Sequence, residues 1–360
     1  MLSGAAANTV SSAKALVKDR RRLKRILLAN PDLAKYRLSE ATSERIASTW
    51  RPGLIRRTAR MWQTVYAGIN GIEDHRYLSG YVFARMVRPA LNNEMLAESY
   101  TDKNLYDRLF PETQTPKSVL RSIHGRYYSD DYEPVGNLQK ALAPYEGNEL
   151  VVKPATESGG GNGVLIGSYE GGEIVTPGSS ISLDDLSQKY GRNFNVQTKI
   201  LQHEVLGAFH PASVNSIRAM TLRHPEGITV LSAAIRFGHQ GERVDNQAAG
   251  GISCGINAKG ILNSFAIDSS GRVFKAHPHT GHIFEGVQIP GLAAVRSLVE
   301  ELHARLLHFD LVSWDIAIDE NGTPVLIEFN ILGQGLQVHQ LNNGPVFGDF
   351  TDYVLKRANI

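Results

Sequence analysis

Cysteine is almost absent from this chain: Cys254 is the one thiol in 360 residues. A lone cysteine excludes an internal disulfide framework and fits a reducing compartment. Long apolar runs are missing too. None approaches the roughly 20 residues that span a bilayer. The longest apolar run in the opening MLSGAAANTVSSAKALVKDRRRLKR is three alanines, too short for a secretory core. An Arg- and Ser-rich opening is typical of organellar presequences, but Asp19 and the apolar spacing after it favour an ordinary helix. A cytoplasmic protein is expected. Net charge is nearly absent as well: Lys+Arg 38 against Asp+Glu 36 leaves +2, which excludes nucleic-acid binding through global charge.

What the chain does have is apolar content, 42% against 21% charged, enough to bury a large core and unlike a disordered chain or coiled coil. Its length suits two or three domains. The small net charge conceals an asymmetry: residues 1–60 carry 14 Lys/Arg and 4 Asp/Glu, residues 61–360 carry 24 and 32. In the basic head, Ala13, Leu16, Val17, Leu23, Ile26 and Leu27 recur at helical spacing. The first hundred residues therefore read as helical, broken at Pro31 and Pro52, with further helices over 58–68 and 81–98. The cluster Lys18, Arg20, Arg21, Arg22, Lys24 and Arg25 is either a solvated helix face or a surface for an anionic partner, such as a membrane leaflet or an acidic carrier protein. Exposed helices there would also allow a dimer.

From about residue 99 the texture changes to strands and turns. Strands are expected at 149–154, 164–166, 195–199, 216–222, 229–237, 260–267, 311–318 and 325–330, and helices near 183–190, 292–307 and 348–357. The DENG turn at 319–322 joins the last two strands as a hairpin. Asp315 lies on one arm, and Glu328 and Asn330 share a face of the other, because side chains alternate with period two. Two carboxylates and an amide oxygen converging from apolar β-runs form the all-oxygen site that Mg²⁺ prefers, and Mg²⁺ in such a site usually holds a nucleotide. Solvent-facing acids would explain Asp319 and Glu320 in the turn, but not these.

A second constellation is Lys153 followed by SGGGNG, in which Ser158, Gly159, Gly160 and Gly161 open a glycine loop between two strands. Glycines let backbone N–H groups approach phosphate oxygens, and a lysine at the strand end adds a point charge. The lysine precedes the glycines and no helix follows them, so this is neither a Walker A loop nor a Rossmann fingerprint. By itself the run is equally a flexible hairpin turn.

Taken together, VVKPATESGGGNGV at 151–164 and WDIAIDENGTPVLIEFN at 314–330 resemble the ATP-grasp superfamily. The resemblance implies an α+β fold in which two lobes sandwich ATP, here about 99–195 and 196–360, preceded by a helical region over 1–98. It implies ATP and Mg²⁺ as cofactors, with Asp315, Glu328 and Asn330 as the metal ligands. The segment Asp102-Lys103 with Leu105, Phe110 and Thr115-Pro116-Lys117 looks like the family's upstream lysine segment, so Lys103 and Lys153 would contact phosphates. Gln197–Glu204 would be the hinge that reads adenine through its backbone and ribose through Glu204. Within the superfamily, HPASVNSIRAMTL, AAIRFG, VDNQAAGGI and HPHTGHIFEGVQIPG are most similar to the sugar-transfer-associated proteins. The activity implied is an ADP-forming ligation of a small-molecule carboxylate to an amine, on an amino sugar or amino acid. Phosphorylation of a hydroxyl and non-catalytic ATP binding are the alternatives.

One departure matters: many peptide-type ligases of the superfamily carry an arginine where Ser313 stands. Arg218 and Arg236, on neighbouring expected strands, are candidates to supply that charge as catalytic residues, each with a surface salt bridge as the plain alternative. Asn246, in a loop with Asp245 and Gly250-Gly251, contacts phosphate or substrate, or else stabilises the loop. His277 and His279 share a face, as a zinc pair would, but no acid or thiol is near to complete a site, so loop packing or substrate contact is expected for them and His282. Cys254 has no base partner in sequence and reads as a buried strand residue.

Overall fold

The computed structural model describes residues 4–156, 163–239 and 250–360, with side chains from residue 13 onward. Ser158, Gly159, Gly160, Gly161 and Asn246 therefore lie outside the described residues. Three long helices come first: α1 (Gly4–Ala29), α2 (Glu40–Thr49) and α3 (Leu54–Asn70). Apolar residues of α3 recur along one face at Ala59, Trp62 and Tyr66, and Gly71, at φ 75°, ends the helix in the left-handed conformation that glycine adopts freely. The helix expected over 81–98 runs only from Gly80 to Leu91, with a π-helical turn at Phe83–Val87. It stops because Asn92 turns extended and bonds Leu311 and Ile331 through its amide.

Two antiparallel seven-stranded sheets follow. The first has the order β2-β1-β7-β3-β4-β5-β6, built from β1 (Ser118–Ile123), β2 (Arg126–Tyr128), β3 (Glu149–Pro154), β4 (Leu165–Glu170), β5 (Glu173–Thr176), β6 (Ser179–Ser182) and β7 (Phe194–Thr198). The second has the order β12-β11-β10-β9-β8-β13-β14, built from β8 (Ile217–His224), β9 (Gly227–Phe237), β10 (Ile252–Ile256), β11 (Leu262–Asp268), β12 (Val273–Phe274), β13 (Leu311–Ile318) and β14 (Pro324–Asn330). The expected β3–β4 and β13–β14 hairpins are both present, with Val151 opposite Ile166 and Asp315 opposite Glu328. Strands β1, β2, β5, β6 and β12 were not expected.

Period-two alternation divides the second sheet between its faces. Ile217, Ala219, Val312, Trp314 and Ile316 point to the side covered by the helix Leu292–Ala304, where Val295, Val299 and Leu302 complete the largest core. Met220, Leu222 and Leu311 point the other way and are buried under Ile46, Trp50, Ala59, Val82 and Val87 of the helical region. Further along that same second face stand Arg218 and Asp315. The helical region thus shares its core with the second sheet. Leu23 and Ile26 of α1 pack with Trp62, Tyr66 and Tyr77 of the same region and with Ile267 and Leu341. The first sheet has its own core around Leu150, Val152, Tyr169, Phe194 and Val196. No helix among the described residues is long and apolar enough to cross a membrane.

Candidate active site

Four neighbouring strands of the second sheet place one charged side chain each on a single face. Arg218 on β8 stands directly opposite Asp315 on β13, and Asp315 directly opposite Glu328 on β14, while Arg236 on β9 lies one diagonal step from Arg218. Arg218 grips Asp315 with two prongs, Nε to Oδ1 at 2.7 Å and Nη2 to Oδ2 at 2.5 Å. Arg236 Nη2 lies 3.3 Å from Oδ2 and also donates to Ser216 Oγ at 2.6 Å. Asn330 Nδ2 approaches the same Oδ2 at 3.4 Å. Burial pushes the Asp315 carboxyl up, but Arg218 and Arg236 outweigh it and hold the carboxyl below its ordinary range.

Lys103 enters from a short helical turn whose start is capped by Asp102, and its Nζ lies 3.5 Å from Glu328 Oε2. Lys153 comes from β3. Both lysines are less than a tenth exposed. Burial, reinforced by neighbouring Lys103 and opposed by Glu328, pulls the Lys153 ammonium down to about 7. These residues border one cavity of about 990 Å³ between the sheets. Gln197, Val151, Val164, Ile166, Ile200 and Ile327 form a largely apolar stretch of its wall, and Arg88 and the segment 332–338 another. The donors fit Mg²⁺: Asp315 and Glu328 are adjacent carboxylates, each oxygen with two lone pairs, and Asn330, whose Nδ2 faces Asp315, keeps Oδ1 as an acceptor.

The sequence matches the family described as sugar-transfer associated ATP-grasp over residues 83–354. The chain belongs to that family. Its α+β fold is the ATP-grasp fold, preceded by helices α1–α3, which lie outside the matched residues. No curated protein matches the sequence significantly. Among solved structures, N5-carboxyaminoimidazole ribonucleotide synthetase from Thermotoga maritima is similar over 64% of this chain and 41% of its own, at 11% identity and a TM-score of 0.34. D-alanine–D-alanine ligase from Bacillus anthracis is similar over 75% and 69%, at 14% identity and a TM-score of 0.42. For the L-amino acid ligase from Bacillus licheniformis the values are 73%, 47%, 15% and 0.36. This chain thus spans less than half the length of the first and third.

In this ATP-grasp chain the expected site residues divide. Asp315, Glu328, Asn330, Lys103, Lys153, Arg218, Arg236 and Gln197 all line the one cavity. Glu204 does not: it is exposed at the start of the helical turn Glu204–Gly207, outside the cavity lining. Ser313 shares the face of Asp315 but lies outside the cavity lining, its hydroxyl donating to Gln334 O at 2.7 Å. His277 is buried in a loop, with Nε2 3.0 Å from Gly238 O. Among the described residues no group of three or more His, Cys, Asp or Glu could hold a metal ion. Cys254 is fully buried on β10, where burial pushes its thiol up to about 12, so it is no nucleophile.

The basic cluster of α1 is not a uniform solvated face. Lys18, Arg22 and Arg25, with Lys14 one turn earlier, line the cavity, whereas Arg20, Arg21 and Lys24 are exposed outside that lining. Sequence reasoning also missed Arg88 and Gly335. Arg88 donates to Leu332 O at 2.8 Å from the last turn of the helix after the π turn, a distortion common at functional sites. Gly335 has φ 75°, and a Cβ there would lie 3.1 Å from Arg218 Nη1. Neither had a signal beyond an ordinary arginine and a GQG turn.

Proposed function

We propose that the protein is an ATP- and Mg²⁺-dependent ligase that joins a carboxylate to an amine and releases ADP and phosphate. The observation that carries this reading is the pair Arg218 and Arg236 beside Asp315 on the cleft wall. A hydroxyl acceptor must give up a proton to a base as it attacks phosphorus. A carboxylate is already ionised at neutral pH and needs only orientation and charge neutralisation, which two guanidiniums supply. This favours the ligase over phosphorylation of a hydroxyl.

The nucleotide's base fits the apolar stretch around Val151, Ile166 and Ile327, and its phosphates fit Lys103 and Lys153. Mg²⁺ held by Asp315, Glu328 and Asn330 would neutralise charge on the phosphate oxygens. In the first step a carboxylate oxygen of the substrate attacks the γ-phosphorus and the bond to the β,γ-bridging oxygen breaks, leaving ADP. In the second the amine nitrogen attacks the acyl carbon, phosphate departs with the bonding pair, and the proton lost by the nitrogen passes to the departing phosphate. Arg218 and Arg236 hold the acyl phosphate's charge in both, taking the role that an arginine at position 313 would have had. An amino sugar or amino acid is the amine in keeping with the family's association with sugar transfer.

The test is turnover of Mg-ATP against a panel of carboxylic acids with amino acids and amino sugars, with products read by mass spectrometry. ADP formed only when acid and amine are both present, with an amide product, is the expected result. A phosphate ester of a hydroxyl compound would replace the ligase with the kinase reading.

A further inference from the structure

Four of the cleft's positive charges have a task in the proposed ligation, and most do not. Among the described residues the cavity lining holds ten Lys/Arg and three Asp/Glu. Lys103 and Lys153 suit the nucleotide, and Arg218 and Arg236 sit on Asp315. Four of the others stand on α1, at positions 14, 18, 22 and 25. Spacings of four, four and three residues put them in one stripe along the helix. At the rise of an α-helix the stripe is about 16 Å long.

The contacts order the cleft. Lys103 reaches Glu328; Glu328 neighbours Asp315; Asp315 is held by Arg218. Arg218 abuts Gly335, two residues from Gln337, whose Oε1 accepts from Arg22 Nη1 at 2.6 Å. The contacts thus run from Lys103 through Asp315 and Arg218 to Arg22, so the stripe adjoins the Arg218 end of this series.

A basic helix face is ordinarily balanced by its own acids or by water. Here Asp19, the acid on this stretch of α1, borders the same cavity but is buried against Trp62, accepting from its Nε1 at 2.9 Å, and offsets the charge of Arg22 alone. Among the described residues Lys14, Lys18 and Arg25 have no ion-pair partner. The helix is also held firmly: Leu23 and Ile26 are in the core, and Asn30 Nδ2 donates to Ser270 O at 2.9 Å. Its cations are thus kept at the cleft rather than swinging free.

We propose that α1 binds a phosphate-bearing substrate, an organic mono- or diphosphate that also carries the carboxylate or the amine to be joined. This rests on the ligase reading of the same site and names its substrate class. One carboxylate would be satisfied by Arg218 and Arg236. Four more cations in a row suit an extended anion of two or more charges, with lysines as point charges and arginine forks matching phosphate oxygens. Because α1 precedes residue 83, where the family match begins, this specificity is supplied from outside the matched region.

The test is calorimetry on the whole chain at fixed free Mg²⁺, in two stages. The β,γ-imido analogue of ATP is bound first. Inorganic pyrophosphate is then titrated into the analogue-saturated protein, with citrate as a polycarboxylate control. Lys14 and Lys18 are exposed, so Lys14→Glu/Lys18→Glu should keep the wild-type melting temperature and its affinity for the analogue. The expected result is a second-stage affinity for pyrophosphate, tighter than for citrate, that falls about tenfold or more in the double variant and weakens with salt. Citrate binding tighter than pyrophosphate would overturn the phosphate assignment. Absent pyrophosphate binding, or equal binding in the variant, would overturn the role of α1 while leaving the ligase reading intact. Failure of the first stage would instead remove the nucleotide reading on which both rest.

Discussion

Arg218 and Asp315 stand directly opposite each other on β8 and β13, and two hydrogen bonds, at 2.7 and 2.5 Å, lock guanidinium to carboxylate. Both side chains are nearly buried, so each charge relies chiefly on the other. Removing one partner of such a pair strands the other. Arg218→Gln should lower stability by about 3 kcal/mol, somewhat less if Arg236, 3.3 Å from Asp315, compensates. Adding Asp315→Asn should cost less than the two single losses combined. A double-mutant cycle by urea denaturation measures this, and additive losses would contradict the coupling.

Lys153 presents the opposite case. It is buried, its ammonium is pulled down to about 7, and among the described residues it has no carboxylate at ion-pair distance. Lys153→Met should therefore be as stable as wild type without nucleotide, or more stable by about 1–3 kcal/mol. The rise in melting temperature on adding Mg-ATP should vanish. Scanning calorimetry with and without Mg-ATP separates the two effects; a variant that melts lower and still responds to ATP would oppose this assignment.

Acid sensitivity should come in part from His303. Its Nε2 donates to Phe309 O at 2.9 Å, and its Nδ1 lies 2.7 Å from the Thr221 hydroxyl oxygen, which accepts from Trp314 Nε1. Burial of the ring pushes its pKa from 6.5 down to about 4. Above pH 6.5 neither folded nor unfolded chain binds this proton. As pH falls from 6.5 to 4 the unfolded chain takes it up first, so stability drops through that window, by at most about 3 kcal/mol from this group. Urea midpoints from pH 7 to pH 4 should fall more steeply for wild type than for His303→Gln, whereas parallel curves would exclude His303 as a source.

Gly80 sits where α1 meets the helical wall of the cleft. A Cβ there would lie 2.6 Å from Asp19 Oδ1 and 2.8 Å from Gln337 Nε2. Both side chains are anchored, Asp19 by Trp62 and Gln337 by Arg22, so neither can yield cheaply. Gly80→Ala should cost about 1–3 kcal/mol despite alanine's better helix propensity. A melting temperature equal to or above wild type would show that α1 is not seated as described.

The core of this site was legible because its information is local. Alternation around the DENG turn is enough to pair Asp315 with Glu328, and the arginines of SIRAMTL and AAIRFG fall on one face for the same reason. Glu204 was misplaced because a hinge position carried over by resemblance says nothing of where a side chain turns once the strand has ended at Thr198. The place of α1 could not be read at all. Helical spacing marks Leu23 and Ile26 as buried, but their partners include Ile267 and Leu341, and no periodicity reveals a contact across that separation.

The missed helix Leu336–Asn343 has a different cause. Its sequence LQVHQLNN looks polar, yet His339, Gln340 and Asn342 are buried, bonded to Ser232, Leu78 and Ser253. Hydropathy cannot recognise polar groups that are satisfied inside a protein. Strands β5 and β6, four residues each at one edge of the first sheet, are too short to carry a clear alternation.

The central claim is that the cleft holds ATP through Mg²⁺ on Asp315, Glu328 and Asn330. Calorimetric titration of ATP into wild type and Glu328→Gln, each with Mg²⁺ and with a chelator, tests it most directly. Binding by wild type that requires Mg²⁺ and weakens about tenfold or more in Glu328→Gln is predicted. Equal affinity in the variant, or in the presence of chelator, would contradict it.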